Sequence, residues 1–188
     1  MAVGDLTSLA NVKDWLGLSA NPSTADDAVL SRLISAASAL ISSWCGRSFP
    51  LASYSETRDG NGKSQMIPAH QPVIAVTAIT VNGRSLVPTV PGGTPGFYFT
   101  PTLIRLAGSA FVYGRGNVVL SYQAGFTVIP PDVEQACIEL VAARFRDRNR
   151  AGLSTSTFSG QSLSFTASDL PASVKLALAP YQMQVVPC

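Results

Sequence analysis

The sequence predicts an α+β protein: a small α-helical bundle of three main helices plus a short C-terminal helix, with an inserted antiparallel β region. Three observations predict it. Two long segments, beginning at Thr24 and at Pro130, repeat apolar residues at helical spacing. The stretch between them, 48–127, changes period and is dominated by Pro, Gly, Thr and Val. Turn dipeptides such as Asn82-Gly83 punctuate that stretch, as antiparallel hairpins require. The organisation that follows is 1–47 as the N-terminal helical part, 48–127 as the β insert, 128–150 as the third bundle helix, and 151–188 as a C-terminal arm with a short helix.

In chain order, Thr7 is a candidate N-cap, Leu9, Val12 and Leu16 share a helix face, and Gly17 is a stop signal. A second helix starts at Thr24, with Asp26 and Asp27 suiting the positive end of the dipole. Leu30, Leu33, Ile34, Ala37, Leu40, Ile41 and Trp44 form its apolar stripe, and Gly46 closes it. Its other face carries Ser31, Ser35, Ser38, Ser42 and Ser43, and between Asp27 and Arg47 the only charge is Arg32. A solvent face ordinarily carries charge. This one reads as a subunit interface through Ser31, Ser35, Ser38 and Ser42, or else as a weakly polar exposed face.

Within the insert, Asp59-Gly60-Asn61-Gly62 reads as a hairpin turn, and Val73 to Val81, Phe97 to Phe99, Thr102 to Leu106, Phe111 to Tyr113 and Asn117 to Tyr122 as short strands. Pro130-Pro131-Asp132 opens the third helix, with Val133, Cys137, Leu140, Val141 and Phe145 as its stripe. It ends in Arg144, Arg146, Arg148 and Arg150, which either complement the helix dipole or contact DNA or an acidic partner. Residues 151–168 are rich in Ser, Thr and Gly and read as an extended arm; Asp169-Leu170-Pro171 then starts a last helix to about 178. Leu163, Phe165, Leu170, Pro171, Val174 and Tyr181 are its candidate anchors for a partner, against the alternative of a tail folded back on its own helices.

Composition narrows the function. Lys+Arg number 13 and Asp+Glu 11, so charged residues make up 13% of the chain, against about 25% in ordinary domains. Interface cores are depleted in charge, so an assembly component is one reading and a Ser/Thr-rich monomer the other. Hydrophobic residues at 46% exclude a disordered chain. The longest nearly apolar run, Val73 to Val81, falls short of the roughly 20 residues a bilayer needs. The N-terminus shows no basic-then-apolar pattern, so the chain is expected to be made and kept in a cytoplasm. Cys45, Cys137 and Cys188 are far apart and form no CxxC pair, suggesting neither a disulfide framework nor a zinc site.

No catalytic constellation emerges. His70, the single histidine, has no nucleophile or orienting carboxylate near it in sequence. Asp59 to Ser64 faintly echoes a calcium loop but has Lys63 at a ligand position and Ser64 where Gly is needed. Gly114-Arg115-Gly116 lacks the third glycine of a dinucleotide turn. No cofactor and no metal are expected. A small hydrolase using His70 and a cysteine is the remaining enzymatic reading.

Four stretches together resemble the head–tail connector (adaptor, or head-completion) proteins of tailed bacteriophages. They are Asp5-Leu-Thr-Ser-Leu-Ala-Asn-Val-Lys-Asp-Trp-Leu-Gly-Leu18; Asp26-Asp27 through Ile41 with Trp44-Cys45-Gly46-Arg47; Leu120-Ser-Tyr-Gln-Ala-Gly-Phe126 leading into Pro130-Pro131-Asp132-Val133; and Leu170-Pro171-Ala-Ser-Val174 with Leu178-Ala-Pro180-Tyr181. They cover about half the chain, and their order carries the resemblance. It implies a non-enzymatic virion protein in the neck, assembled in the bacterial cytoplasm. Its partners would be its own copies in a ring, expected to be a dodecamer, the portal protein, and tail or stopper proteins. Genomic double-stranded DNA would cross the lumen, and no membrane would be involved. The Asp59, Gly60, Asn61, Gly62 turn is then a candidate tail-side element.

Overall fold

The computed structural model describes residues 4–19, 24–148 and 170–183, and the backbone of 155–158 and 161–164. The chain forms two compact units, one from 1–47 together with 129–188, the other from 48–128.

Unit 1 contains α1 (Leu9–Trp15), α2 (Asp27–Cys45), α3 (Pro131–Asp147) and α4 (Ala172–Leu178), the last running into a 3-10 turn at Ala179–Tyr181. The N-cap of α1 is Ser8, whose hydroxyl accepts the Asn11 N–H (3.1 Å). Thr7, the expected cap, is buried and donates to Glu134 Oε1 (3.1 Å), which also takes the Asn11 Nδ2 proton (2.7 Å). One carboxylate on α3 thus fastens the start of α1. Helix α2 buries Leu30, Ile34, Ala37, Ser38, Ile41 and Cys45 and packs on α3, which buries Val133, Ala136, Cys137, Leu140 and Val141. By length and composition α2 could cross a bilayer; its buried stripe makes it the core helix of unit 1. Gly46 ends it in the left-handed conformation (φ 67°), where a Cβ is disfavoured.

Unit 2 is built from two antiparallel sheets. Strands β1 (Ala52–Gly60), β3 (Val73–Val81), β4 (Arg84–Ser85) and β7 (Gly114–Ala124) pair in the order β1-β7-β3-β4. Strands β2 (Gln65–Met66), β5 (Gly96–Phe99) and β6 (Ile104–Ala107) pair in the order β2-β6-β5. Both sheets face one core: Val73, Ile79, Val118, Leu120, Tyr122 and Ala124 from the first, Met66, Phe97, Ile104 and Leu106 from the second, with Phe111 between strands. In register, Tyr54, Tyr122 and Val76 form one inward row, and Glu56, Leu120 and Ile79 the next. Asn82-Gly83 is a two-residue turn between β3 and β4, with φ of 51° and 75°, the positive values at both centres that a type I′ turn needs.

The fold class is therefore corrected. The described residues form a mixed α+β structure with four helices and seven strands in two antiparallel sheets, not a helical bundle carrying a minor β insert. The underestimate has a physical cause: β1 is an edge strand of polar sequence (ASYSETRDG), and its partner β7 lies some sixty residues on. Asp59–Gly62 is no hairpin turn, because β1 pairs with β7 and β2 with β6; the segment is a corner between the two sheets. Phe111–Tyr113 is not a strand either; Phe111 is held by backbone bonds to Gly62 (2.7 Å) and Lys63 (2.9 Å). A further antiparallel pair, β8 (Thr155–Phe158) with β9 (Gln161–Ser164), lies in the C-terminal segment.

Candidate functional site

The outward side of α2 presents Ala28, Ser31, Arg32, Ser35, Ala36, Ala39 and Ser43, all exposed. Ser42 is half-buried, and the Ser35 hydroxyl donates to Asp5 Oδ1 (2.9 Å). Ser38 is not on this face. It is 2% exposed, accepts the Leu6 N–H (2.9 Å) and sits 3.6 Å from the Cys137 sulfur. Its position beside Ala37 and one turn from Ile41 puts it at the border of the buried stripe, where helical spacing alone does not separate inside from outside. Of the residues of α2 on the remaining face only Arg32 is charged, and the Asp5 carboxylate reaches it at Ser35.

At the end of α3 the arginines differ. Arg148 pairs with Asp26 Oδ1 (2.7 Å) and lies over the Phe145 ring at 4.2 Å. Arg144 is half-buried and Arg146 exposed. Arg150 lies outside the described residues.

The apolar residues assigned to a partner-binding arm divide as well. Leu170, Val174 and Leu178 are buried in unit 1, where α4 packs on α3. Pro171 occupies the N-cap position of α4. The Tyr181 hydroxyl donates to Asp132 Oδ1 (2.9 Å), and the Met183 N–H donates to the Cys45 carbonyl (2.9 Å). These anchors are received within the chain. Leu163 stands opposite Ser156 in the β8–β9 register, and Phe165 lies outside the described residues.

At the Asp59–Gly62 corner, Asp59 Oδ1 accepts the Gly116 N–H (2.6 Å) and Asn61 Oδ1 the Lys63 N–H (2.9 Å). Gly60 pairs with Gly114 across β1 and β7 so closely that a Cβ would overlap the Val112 carbonyl.

His70 stacks on Tyr54 (3.7 Å, 11°), and its backbone N–H donates to the Tyr122 hydroxyl (3.1 Å). Cys45 and Cys137 belong to the other unit and are buried there. Burial pushes both thiols up to about 11, Arg47 pulling Cys45 the other way and Ser38 doing so for Cys137. A nucleophilic cysteine needs the opposite shift. Among the described residues, no three His, Cys, Asp or Glu side chains gather into a group able to hold a metal.

Surfaces thus dominate: a charge-poor helix face in one unit and a glycine-rich corner in the other. That is the make-up of a structural protein that works by assembly. The head completion protein family matches residues 5–184, and the chain belongs to that family. As a member of that family it is a head completion protein, a structural protein. Among solved structures it is similar to a chain in the neck of the native gene transfer agent particle computed with C12 symmetry (18% identity, 95% of this chain and 90% of that one, TM-score 0.63). It is equally similar to one in the neck of the empty particle computed with C6 symmetry (20% identity, the same coverage, TM-score 0.63). A chain of the native gene transfer agent virion matches at 19% identity over 95% of this chain and 90% of that one, with a TM-score of 0.62. No curated protein matches the chain.

Proposed function

We propose that copies of this chain form a closed ring, twelvefold, between the portal and the tail, with genomic double-stranded DNA crossing its lumen and no reaction catalysed. The observation that carries this is the outward face of α2, where seven exposed positions hold one charge. A repeated heterologous contact closes into a ring, and a surface of Ser and Ala lets a neighbouring backbone come close. The twelvefold symmetry of the similar gene transfer agent neck supports the number. Ser31 and Ser35 lie at the boundary, Ser42 at its rim.

In this reading the C-terminal segment reaches the portal through β8 and β9, since Leu170, Val174 and Leu178 are taken up inside unit 1. A two-stranded hairpin is marginal alone, and adding strands of a partner to its edges would stabilise it. The Asp59–Gly62 corner faces the tail, and Arg144 and Arg146 meet acidic portal surface.

The test is the pair Ser31→Glu and Ala39→Glu, both exposed in the protomer. The double variant should fold, stay monomeric, and fail to enter necks, because each copy would bury unpaired charge. Normal necks built from it would overturn the ring reading. Deleting 155–164 should leave a folded protein that no longer stays on DNA-filled heads; continued attachment would remove the portal assignment.

A further inference from the structure

Charge is divided unequally between the two units. Residues 48–128 hold five cations, Arg58, Lys63, Arg84, Arg105 and Arg115, against two carboxylates, Glu56 and Asp59, a net of +3. The rest of the chain holds eight cations against nine carboxylates, a net of −1. Both carboxylates of unit 2 are engaged inside it. Glu56 accepts from the Tyr122 hydroxyl (3.2 Å) and faces Arg58 at 3.6 Å, and Asp59 accepts the Gly116 N–H.

Three of the cations converge on one end of the unit. Asn117 organises that end: its side chain accepts the Gly60 N–H (2.8 Å) and donates to Asn82 Oδ1 (3.0 Å) and to the Val112 carbonyl (2.8 Å). It thereby ties the end of β1, the β3–β4 turn and the segment entering β7. Arg84 follows that turn directly, Arg115 precedes Asn117 by two residues, and Lys63 is bonded through its carbonyl to the Phe111 N–H. All three side chains are exposed. Tyr113, 79% exposed, lies between Lys63 and Arg115 in this network with its ring against Gly62.

We infer that this end of unit 2 contacts the phosphate backbone of the double-stranded DNA that crosses the lumen. The inference rests on the ring reading and gives it a DNA-facing surface. Lys, Arg and a tyrosine hydroxyl are phosphate donors that carry no sequence information, as a surface passing a whole genome requires. Asp59, exposed at the same end with its Oδ1 on the Gly116 N–H, is the one carboxylate there among the described residues, and three cations against it leave a net of +2. Three cations per copy bind weakly and let DNA slide, while repetition around a ring sustains the hold. The end of α3 is a poorer site, because Arg148 is committed to Asp26 and Arg144 is half-buried.

The experiment uses the purified full chain and a short random-sequence duplex, with binding followed by fluorescence anisotropy between about 50 mM and about 200 mM salt. Lys63→Gln, Arg84→Gln and Arg115→Gln combined should weaken binding by about tenfold or more and reduce the salt slope by about 3. Arg144→Gln with Arg146→Gln should change it much less. An unchanged melting temperature confirms that the triple variant is folded. The inference is overturned if the wild type does not bind at the lowest salt, if the triple variant binds like wild type, or if the α3 variant loses as much. A triple variant that binds DNA normally but yields tailless heads would assign the surface to an acidic tail protein instead. Incorporation of the same variants into necks is scored separately: a wild-type chain absent from necks defeats the ring reading, whatever the anisotropy shows.

Discussion

The two units satisfy their polar groups in different ways. In unit 1 side-chain hydrogen bonds tie the N-terminal segment to the helices: a carboxylate on α3 holds Thr7 and Asn11, a serine hydroxyl on α2 takes the Leu6 N–H, and a local serine caps α1. Apolar contact between helices does the rest. In unit 2 the backbone is satisfied by pairing between strands remote in sequence, and the core itself contains a polar group, the Tyr122 hydroxyl, held by Glu56 and His70. The difference teaches where each unit can vary. A helix fixed by one buried stripe leaves its outer face free to be shaped for a neighbour. A sheet pair whose corner is fastened by Asn117 leaves its exposed side chains free to carry charge.

Core truncations should break the comparison most strongly. Ile41→Ala in α2 and Leu120→Ala in β7 each remove a fully buried side chain and should each cost about 2–5 kcal/mol. Amide hydrogen exchange should show the loss mainly within the unit that carries the substitution. Equal loss of protection in both units would mean that they unfold as one.

Next is Gly60→Ala. The added methyl has no room before the Val112 carbonyl, so the corner must shift, at about 1–3 kcal/mol. The same change at exposed Gly83, where nothing lies within contact distance, meets only the penalty of its positive φ. Thermal melts of the two variants separate crowding from backbone preference.

Tyr122→Phe should cost about 1 kcal/mol and sharpens the contrast through pH. Burial, reinforced by the Glu56 carboxylate and opposed by the His70 N–H, pushes the Tyr122 phenol from its ordinary value of 10.0 up to about 12. The fold favours the neutral phenol. Its contribution is complete below pH 10 and is lost as pH rises toward 12. Wild-type unit 2 should therefore weaken across that window more than the Phe variant does. Smallest is Arg148→Gln, which breaks a half-exposed pair with Asp26 and should cost about 0.2–1 kcal/mol, less in high salt.

Legibility in the sequence follows the same division. The buried positions Leu30, Ile34, Ala37 and Ile41 are visible because helical packing is written at a spacing of three and four. Asn82-Gly83 is visible because a type I′ turn is a local demand. The strand Val73–Val81 is legible to its ends, but the extent of the two sheets is not, because β2 and β4 are two residues long and β1 is polar on both sides. For the candidate surfaces, the scarcity of charge on α2 could be read directly. The inward turn of Ser38 could not, since it depends on where Leu6 and Cys137 come to rest. Nor could the gathering of Lys63, Arg84 and Arg115, which span 52 residues of sequence (115 − 63) and lie on segments that Asn117 ties together. The charge balance of 48–128 was the one available signal.

The entry to and exit from unit 2 are joined. Phe49 and Phe126 stack at 6.1 Å, Pro50 bridges to Phe126, the Phe126 N–H donates to the Phe49 carbonyl (2.7 Å), and the Leu51 N–H donates to the Phe126 carbonyl (3.1 Å). The chain leaves and returns through a single clasp, so everything beyond it is a loop closed at its base. Such a loop can lengthen, shorten or be exchanged over generations while the two segments flanking it keep their separation. Diversity among relatives should then accumulate beyond the clasp, and a chimaera that trades residues 51–125 for the equivalent stretch of a relative should inherit that relative's dealings with tail and genome while keeping its own.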